Sequence, residues 1–212
     1  RNASDAISMT QTAEGALGEM HSILGRLREL AMQGSNGSMT ATDRGYLSTE
    51  FSALQAEMTR IQASSKFNGK SLLSATASSL TFQVGLNNTA SDKVTLTFGG
   101  LGLTTLLAAT TNLSGAGTTA SLTALGRIDS ALATISTSRA RFGAAMNRFE
   151  VVTSSIQTMR LNLSAANSRI RDVDVAEETS ALARNQVLSQ AGVAVLAQAN
   201  QLPQLALSLV GG

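Results

Sequence analysis

One histidine, His21, is the only imidazole in these 212 residues, and there is no cysteine. A single imidazole cannot supply the paired ligands of a zinc site, and no His-Glu-x-x-His motif is present. Without thiols there is neither a disulfide nor a thiolate metal centre. Serine is abundant, but a serine becomes a nucleophile only beside a base that takes its proton. His21 falls near the edge of a helical seam and reads as a surface or satisfied helix residue. No catalytic residue, no metal ligand and no cofactor site is expected, so the sequence does not read as an enzyme. Five Asn-x-Ser/Thr triplets begin at Asn2, Asn36, Asn87, Asn112 and Asn162. In a chain so rich in Asn, Ser and Thr they are read as chance.

What remains is chemistry of association. Charged residues make up 14%, aromatics 3%, and the formal net charge is +2. No Lys/Arg cluster with interleaved aromatics appears, which argues against a nucleic-acid partner. One Tyr and six Phe spread along the chain do not make the aromatic-lined pocket of a polysaccharide-binding protein. Glu14, Glu19, Arg26, Arg28 and Glu29 mark a solvated face of the first helix. With Arg at position 1 and no Met or apolar leader, the chain is expected to start inside a longer protein.

The elements that position these groups are mostly helical. Leu125, Ile128, Leu132, Ile135, Arg139, Phe142, Met146, Phe149, Thr153, Ile156, Arg160 and Leu163 step by three and four without a slip. That is a heptad seam on one helix over 121–170, about 75 Å long. Its polar positions, Arg139, Thr153 and Arg160, are expected to be partly exposed.

A first helix over 4–33, capped by Ser4 or Asp5, carries two adjacent seams. One is Ala13, Leu17, Met20, Leu24, Leu27 and Ala31; the other is Ala16, Met20, Ile23, Leu27 and Leu30. Two seams imply two partner helices. A second helix over 42–64 follows, with Leu47, Phe51, Leu54, Met58 and Ile61 on one stripe. Lys66–Lys70 reads as a tight Asn-Gly turn.

The period then changes to two. Leu80, Phe82, Val84 and Leu86, then Val94, Leu96 and Phe98, predict a β-hairpin over 80–98 whose apolar face lies on the helices. Residues 99–117 read as loop, with room for one short helix or strand around Leu103 to Ala108. From Asn185 to Gly212 there is no charged residue. Amides recur too often in this stretch for a membrane span. It suits a helix buried among partner helices, and Pro203 should kink or end it. The fold class is therefore mainly α: an elongated antiparallel helical bundle or coiled-coil rod with one β-hairpin. Residues 1–172 would form the rod and residues 173–212 an assembly helix.

Several segments together resemble bacterial flagellins. These are the opening Arg1–Ser8 with Thr12–Leu17, then Leu27–Ala31, Lys66–Gly69 with Leu72-Leu73, and Leu80–Gly85. At the C-terminal end they are Ser168–Ile170 with Asp172 and Asp174, Gln190–Gly192, Val195–Gln201 and Pro203-Gln204. The resemblance covers roughly residues 1–98 and 125–210. The family's N-terminal helix before the segment matching Arg1 is missing, as is any large variable outer domain.

The resemblance implies a self-assembling subunit of the flagellar filament, secreted through the flagellum's own channel and used for swimming. A hook–filament junction protein, or a flagellin-like surface polysaccharide-binding protein, is the alternative. It also implies contacts for the flagellin-sensing Toll-like receptor at Arg26, Leu30 and Glu50. An export chaperone would bind the C-terminal segment through Leu188, Val195, Leu196, Leu202 and Leu205, the residues also expected to serve assembly. Because these residues would form an exposed apolar patch, the segment is expected to be ordered only against another chain.

Overall fold

The protein is represented by a computed structural model that describes residues 1–103, 108, 111–114, 117–172 and 174–211, with side chains in the last helix described up to residue 201. Among the described residues four helices carry it: α1 (Asn2–Gly34), α2 (Ala41–Ser64), α3 (Thr119–Arg171) and α4 (Val175–Val210). Two small antiparallel ladders lie between α2 and α3: β1 (Lys66–Phe67) with β2 (Lys70–Ser71), and β3 (Ser78–Gln83) with β4 (Lys93–Phe98). A short 3-10 turn, Ala90–Asp92, precedes β4. The expected element around Leu103 to Ala108 falls mostly on residues 104–107, outside the described residues.

α1 buries the seam its spacing announced. Ala13, Leu17, Met20, Leu24, Leu27 and Ala31 are all buried. The helix is already running at Asn2, so Ser4 and Asp5 lie inside its first turn and neither caps it. Asp5 instead places a carboxylate near the positive end of the helix dipole. α2 starts on a reciprocal cap. Thr40 Oγ1 accepts the Asp43 N–H at 3.2 Å, and Asp43 Oδ2 accepts the Thr40 N–H at 3.1 Å, satisfying two donors that the first turn would leave open.

Asn68 and Gly69 have φ of 47° and 77°, the left-handed pair that a two-residue hairpin turn requires. The larger hairpin pairs Leu80 with Leu96 and Phe82 with Val94, putting the alternating apolar residues on one face. That face lies on α3. Phe82 meets Phe149 edge-on with centroids 5.5 Å apart, and Phe98 lies 5.3 Å from Phe142. The other face carries hydroxyl pairs, Ser79 with Thr97 and Thr81 with Thr95.

α1, α2, the hairpin and the first part of α3 share one hydrophobic cluster. In α3 the buried side chains run from Ser121 to Phe149. Packing divides the chain into two units, Arg1–Gln157 and Thr158–Gly212. Within the second unit, α3 ends at Arg171, where the Ser168 hydroxyl donates to Asp172, and α4 begins at Val175 with Asp174 Oδ1 accepting the Ala176 N–H at 3.0 Å. Pro203 does not end α4, which continues to Val210.

Candidate functional site

Three groups of residues were singled out by the sequence, and the structure treats them differently. The isolated histidine is half-buried on α1, and its Nδ1 has no hydrogen-bond partner among the described residues. Among the described residues no three His, Cys, Asp or Glu side chains come together as a metal site.

The second group is Arg26, Leu30 and Glu50. Arg26 Nε donates to Glu50 Oε1 at 2.7 Å, bridging α1 to α2, and its Nη1 donates to Glu29 at 2.9 Å. Glu50 and then Glu29 hold the Arg26 guanidinium above its ordinary pKa, so it stays charged. Both members of the interhelical pair are about half exposed. Leu30 is not part of this surface. It is 1% exposed and belongs to the hydrophobic cluster. The reason lies in the second α1 seam: position 30 follows Ile23 and Leu27 onto the stripe that faces the core. The contact expected at Leu30 by resemblance therefore falls on a buried packing residue one helical turn from Arg26.

The third group is on α4. Leu188, Val195 and Leu196 are 63%, 64% and 65% exposed. Among residues 174–201 every one is exposed except the half-buried Ala181. Leu202 and Leu205 lie on the part of α4 whose side chains are outside the described residues. From residue 185 to 201 α4 thus carries a long uncharged surface that is exposed. No helix among the described residues is long and apolar enough to cross a membrane.

The α3 seam extends the same theme. Leu125, Leu132 and Met146 are half-buried and Ile128, Ile135, Phe142 and Phe149 are buried. Past Thr153 the identical three-four spacing continues, yet Ile156, Met159, Leu163 and Ile170 are exposed. Arg160 is exposed as expected, and Arg139 is partly so. Arg139 has a partner the spacing could not name: Nε and Nη2 both donate to Glu14 Oε1, at 2.9 and 2.8 Å. Arg28 Nε reaches Asp129 at 2.9 Å. These two pairs tie α1 to α3 along the flank of the seam. At such exposure water and salt screen both pairs, and each adds little to stability.

Sequence reasoning missed a polar cluster at the Gly34 end of α1. Arg44, 3% exposed, donates to the carbonyls of Gly34 and Asn36. Gln55 Nε2 donates to the Thr111 carbonyl at 3.0 Å, and Arg127 donates to the Thr111 hydroxyl. Ser121 is fully buried against Gly34. None of these residues interrupts an apolar pattern in a way that announces burial, because their partners are backbone carbonyls distant in sequence.

The chain as a whole is similar to known proteins. The model of the bacterial flagellin N-terminal helical region matches residues 1–78, and that of the bacterial flagellin C-terminal helical region matches residues 125–210. Flagellin of Halalkalibacterium halodurans is 41% identical over 210 residues, covering 99% of this chain and 76% of its own. Flagellin of Bacillus subtilis is 38% identical over 242 residues, covering 99% and 79%. A flagellar filament core protein of Brachyspira hyodysenteriae is 38% identical over 223 residues, covering 99% and 78%. The crystal structure of Bacillus cereus flagellin superposes with a TM-score of 0.62 at 33% identity, over 78% of this chain and 94% of that one.

Proposed function

The chain belongs to the bacterial flagellin family, and from that premise we propose that it is a structural subunit which polymerises with copies of itself into the extracellular flagellar filament. Its work is mechanical rather than enzymatic: the filament it builds serves swimming.

The observation that carries this reading is the surface of α4. From Asn185 to Gly212 the chain has no charge, and its described part, to residue 201, lies in solvent. A soluble monomer rarely tolerates so long an apolar surface. Packed among copies, Leu188, Val195 and Leu196 would leave water, and Gln186, Gln190, Gln198 and Asn200 would hydrogen-bond between helices. Residues 173–212 are accordingly the proposed assembly segment, and the exposed end of the α3 seam is a second surface for it.

Before polymerisation the same face must be covered. An export chaperone that buries Leu188, Val195 and Leu196, with Leu202 and Leu205, is the proposed partner at that stage. The proposed receptor contact rests on the Arg26–Glu50 pair, a cation and an anion held together across two helices and open to a charged partner. Leu30, buried in the hydrophobic cluster, is the third residue of the proposed contact.

Electron microscopy of the full-length protein at high concentration tests the main reading. Filaments are expected; a protein that stays monomeric at every concentration overturns it. For the receptor, Arg26→Ala and Glu50→Ala should each weaken signalling through the flagellin-sensing Toll-like receptor at unchanged helicity, and unchanged signalling from both would remove that partner.

A further inference from the structure

Two Asn-Gly pairs lie on the surface, Asn36-Gly37 in the loop from α1 to α2 and Asn68-Gly69 in the β1–β2 turn. They present their side-chain amides differently. We propose that Asn36 is a site of spontaneous covalent modification, losing its amide as ammonia through a five-membered imide with Gly37, with water as the only co-reactant.

The geometry at Asn36 favours the attack. Its Oδ1 accepts the Ser38 N–H at 3.1 Å. That bond folds the side chain back over the Gly37 peptide and turns Cγ towards the Gly37 nitrogen. It also places a donor on the oxygen that becomes an anion as the nitrogen adds, the same device that stabilises tetrahedral intermediates in acyl transfer. The Gly37 N–H makes no hydrogen bond among the described residues. Gly37 has no Cβ to shield its nitrogen, and both residues are exposed to water.

The step balances. The Gly37 nitrogen gives up its proton and bonds to Asn36 Cγ. The Cγ–Nδ2 bond breaks and Nδ2 leaves with that proton as ammonia. Water then opens the imide at one of two carbonyls. Opening at Cγ returns aspartate; opening at the main-chain carbonyl carbon leaves the chain running through Cγ, as isoaspartate. Nothing is oxidised or reduced.

The structure also selects the product. The main-chain oxygen of Asn36 already accepts from Arg44 Nη2 at 3.1 Å and from the Met39 N–H at 3.3 Å. The guanidinium polarises this carbonyl towards water, and the carboxylate that forms there pairs with Arg44. Isoaspartate is therefore the dominant product, with one extra methylene in the main chain of the α1–α2 loop.

Asn68 is the internal control. Its Oδ1 receives no hydrogen bond among the described residues. Its backbone is held at φ 47° beside the ladder rungs Lys66–Ser71 and Phe67–Lys70.

The test is incubation of the folded protein in mildly alkaline buffer, followed by peptide mass mapping and enzymatic methylation of isoaspartyl groups. Asn36 should convert about tenfold faster than Asn68, and unfolding in urea should bring the two rates together. Gly37→Ala meets open space at an ordinary backbone angle, so the fold is kept while conversion at residue 36 slows about tenfold. Conversion at Asn36 no faster than at Asn68 in the folded protein overturns the proposal. So does a Gly37→Ala rate equal to that of the unchanged protein.

Discussion

Arg44 Nε donates to the carbonyl oxygen of Gly34 at 2.9 Å, so a buried guanidinium on α2 closes the C-terminal end of α1. The last carbonyls of a helix have no partner within it. Here the carbonyls of Ala31, Met32 and Gln33 accept from the Ser35 and Asn36 N–H groups, and that of Gly34, on a buried residue, accepts from Arg44. Arg44→Met keeps the length of the stem and removes the donors. It should lower stability by about 2 kcal/mol, the cost of leaving the buried Gly34 acceptor unpaired. Urea unfolding followed by circular dichroism measures it. A loss within experimental error would mean that the loop re-satisfies that carbonyl by itself.

The contact between Gly34 and Ser121 is equally close. A Cβ on residue 34 would stand 2.7 Å from Ser121 Oγ and 3.8 Å from Leu113 Cβ. Gly34→Ala should therefore destabilise by about 1 kcal/mol through overpacking. Ser121→Ala removes both the obstacle and a buried hydroxyl that has no partner among the described residues. In a double-mutant cycle the pair should recover the loss. Strict additivity of the two substitutions would contradict the close approach.

Acid sensitivity should be traceable to the start of α2. The Asp43 carboxyl is held below its ordinary value of 3.8, first by the Thr40 hydroxyl and then by the Thr40 N–H. A carboxyl whose folded pKa is depressed contributes stability that is present above its unfolded value and lost as pH falls through its folded value. Asp43→Asn should thus lower the urea midpoint at neutral pH, and the gap should close only below pH 3.8. Glu57, lowered by its hydrogen bonds from Arg60, acts in the same direction. A gap that persists unchanged at low pH would show that the cap does not depend on the charge of Asp43.

These three sites mark the boundary of what the residues alone disclose. The α3 seam, the α1 seams and the hairpin were legible because burial repeats with the period of the backbone. Leu17, Met20, Leu24 and Leu27 recur with the turn of the helix, and Leu80 and Phe82 with the pleat. The Asn68-Gly69 turn was legible because few pairs adopt two left-handed residues in succession. Arg44, Gln55 and Ser121 were not, since each is defined by a carbonyl or a glycine far along the chain. Leu30 shows a different limit. A likeness in residue type marks it as a receptor contact, while its own spacing sets it on the seam that faces the core.

Arg160 tests the seam itself. It occupies a seam position on the exposed end of α3 and makes no ion pair among the described residues. Arg160→Leu should leave the thermal midpoint of the dilute protein unchanged or slightly raised, within about 0.5 kcal/mol, as for other exposed positions. A large destabilisation would reveal a buried partner for this guanidinium.

α4 carries the last prediction. Its helix is long, yet along residues 174–201 every residue but the half-buried Ala181 is exposed. Isolated helices in water owe little to tertiary packing and open readily. Amides from Leu188 to Gln201 should therefore exchange fast in a dilute monomer, while those of Leu17 to Leu27 exchange slowly, because local opening follows the number of buried contacts. Polymerisation should protect the α4 amides, as the apolar face leaves water and the amide side chains find partners. Leu188→Lys with Leu196→Lys should abolish polymerisation and leave the thermal midpoint of the monomer unchanged, since neither side chain contributes to the hydrophobic cluster. Slow exchange of α4 in a verified monomer would mean that the segment already has a partner on its own chain. In that case its uncharged face is not the surface that drives assembly.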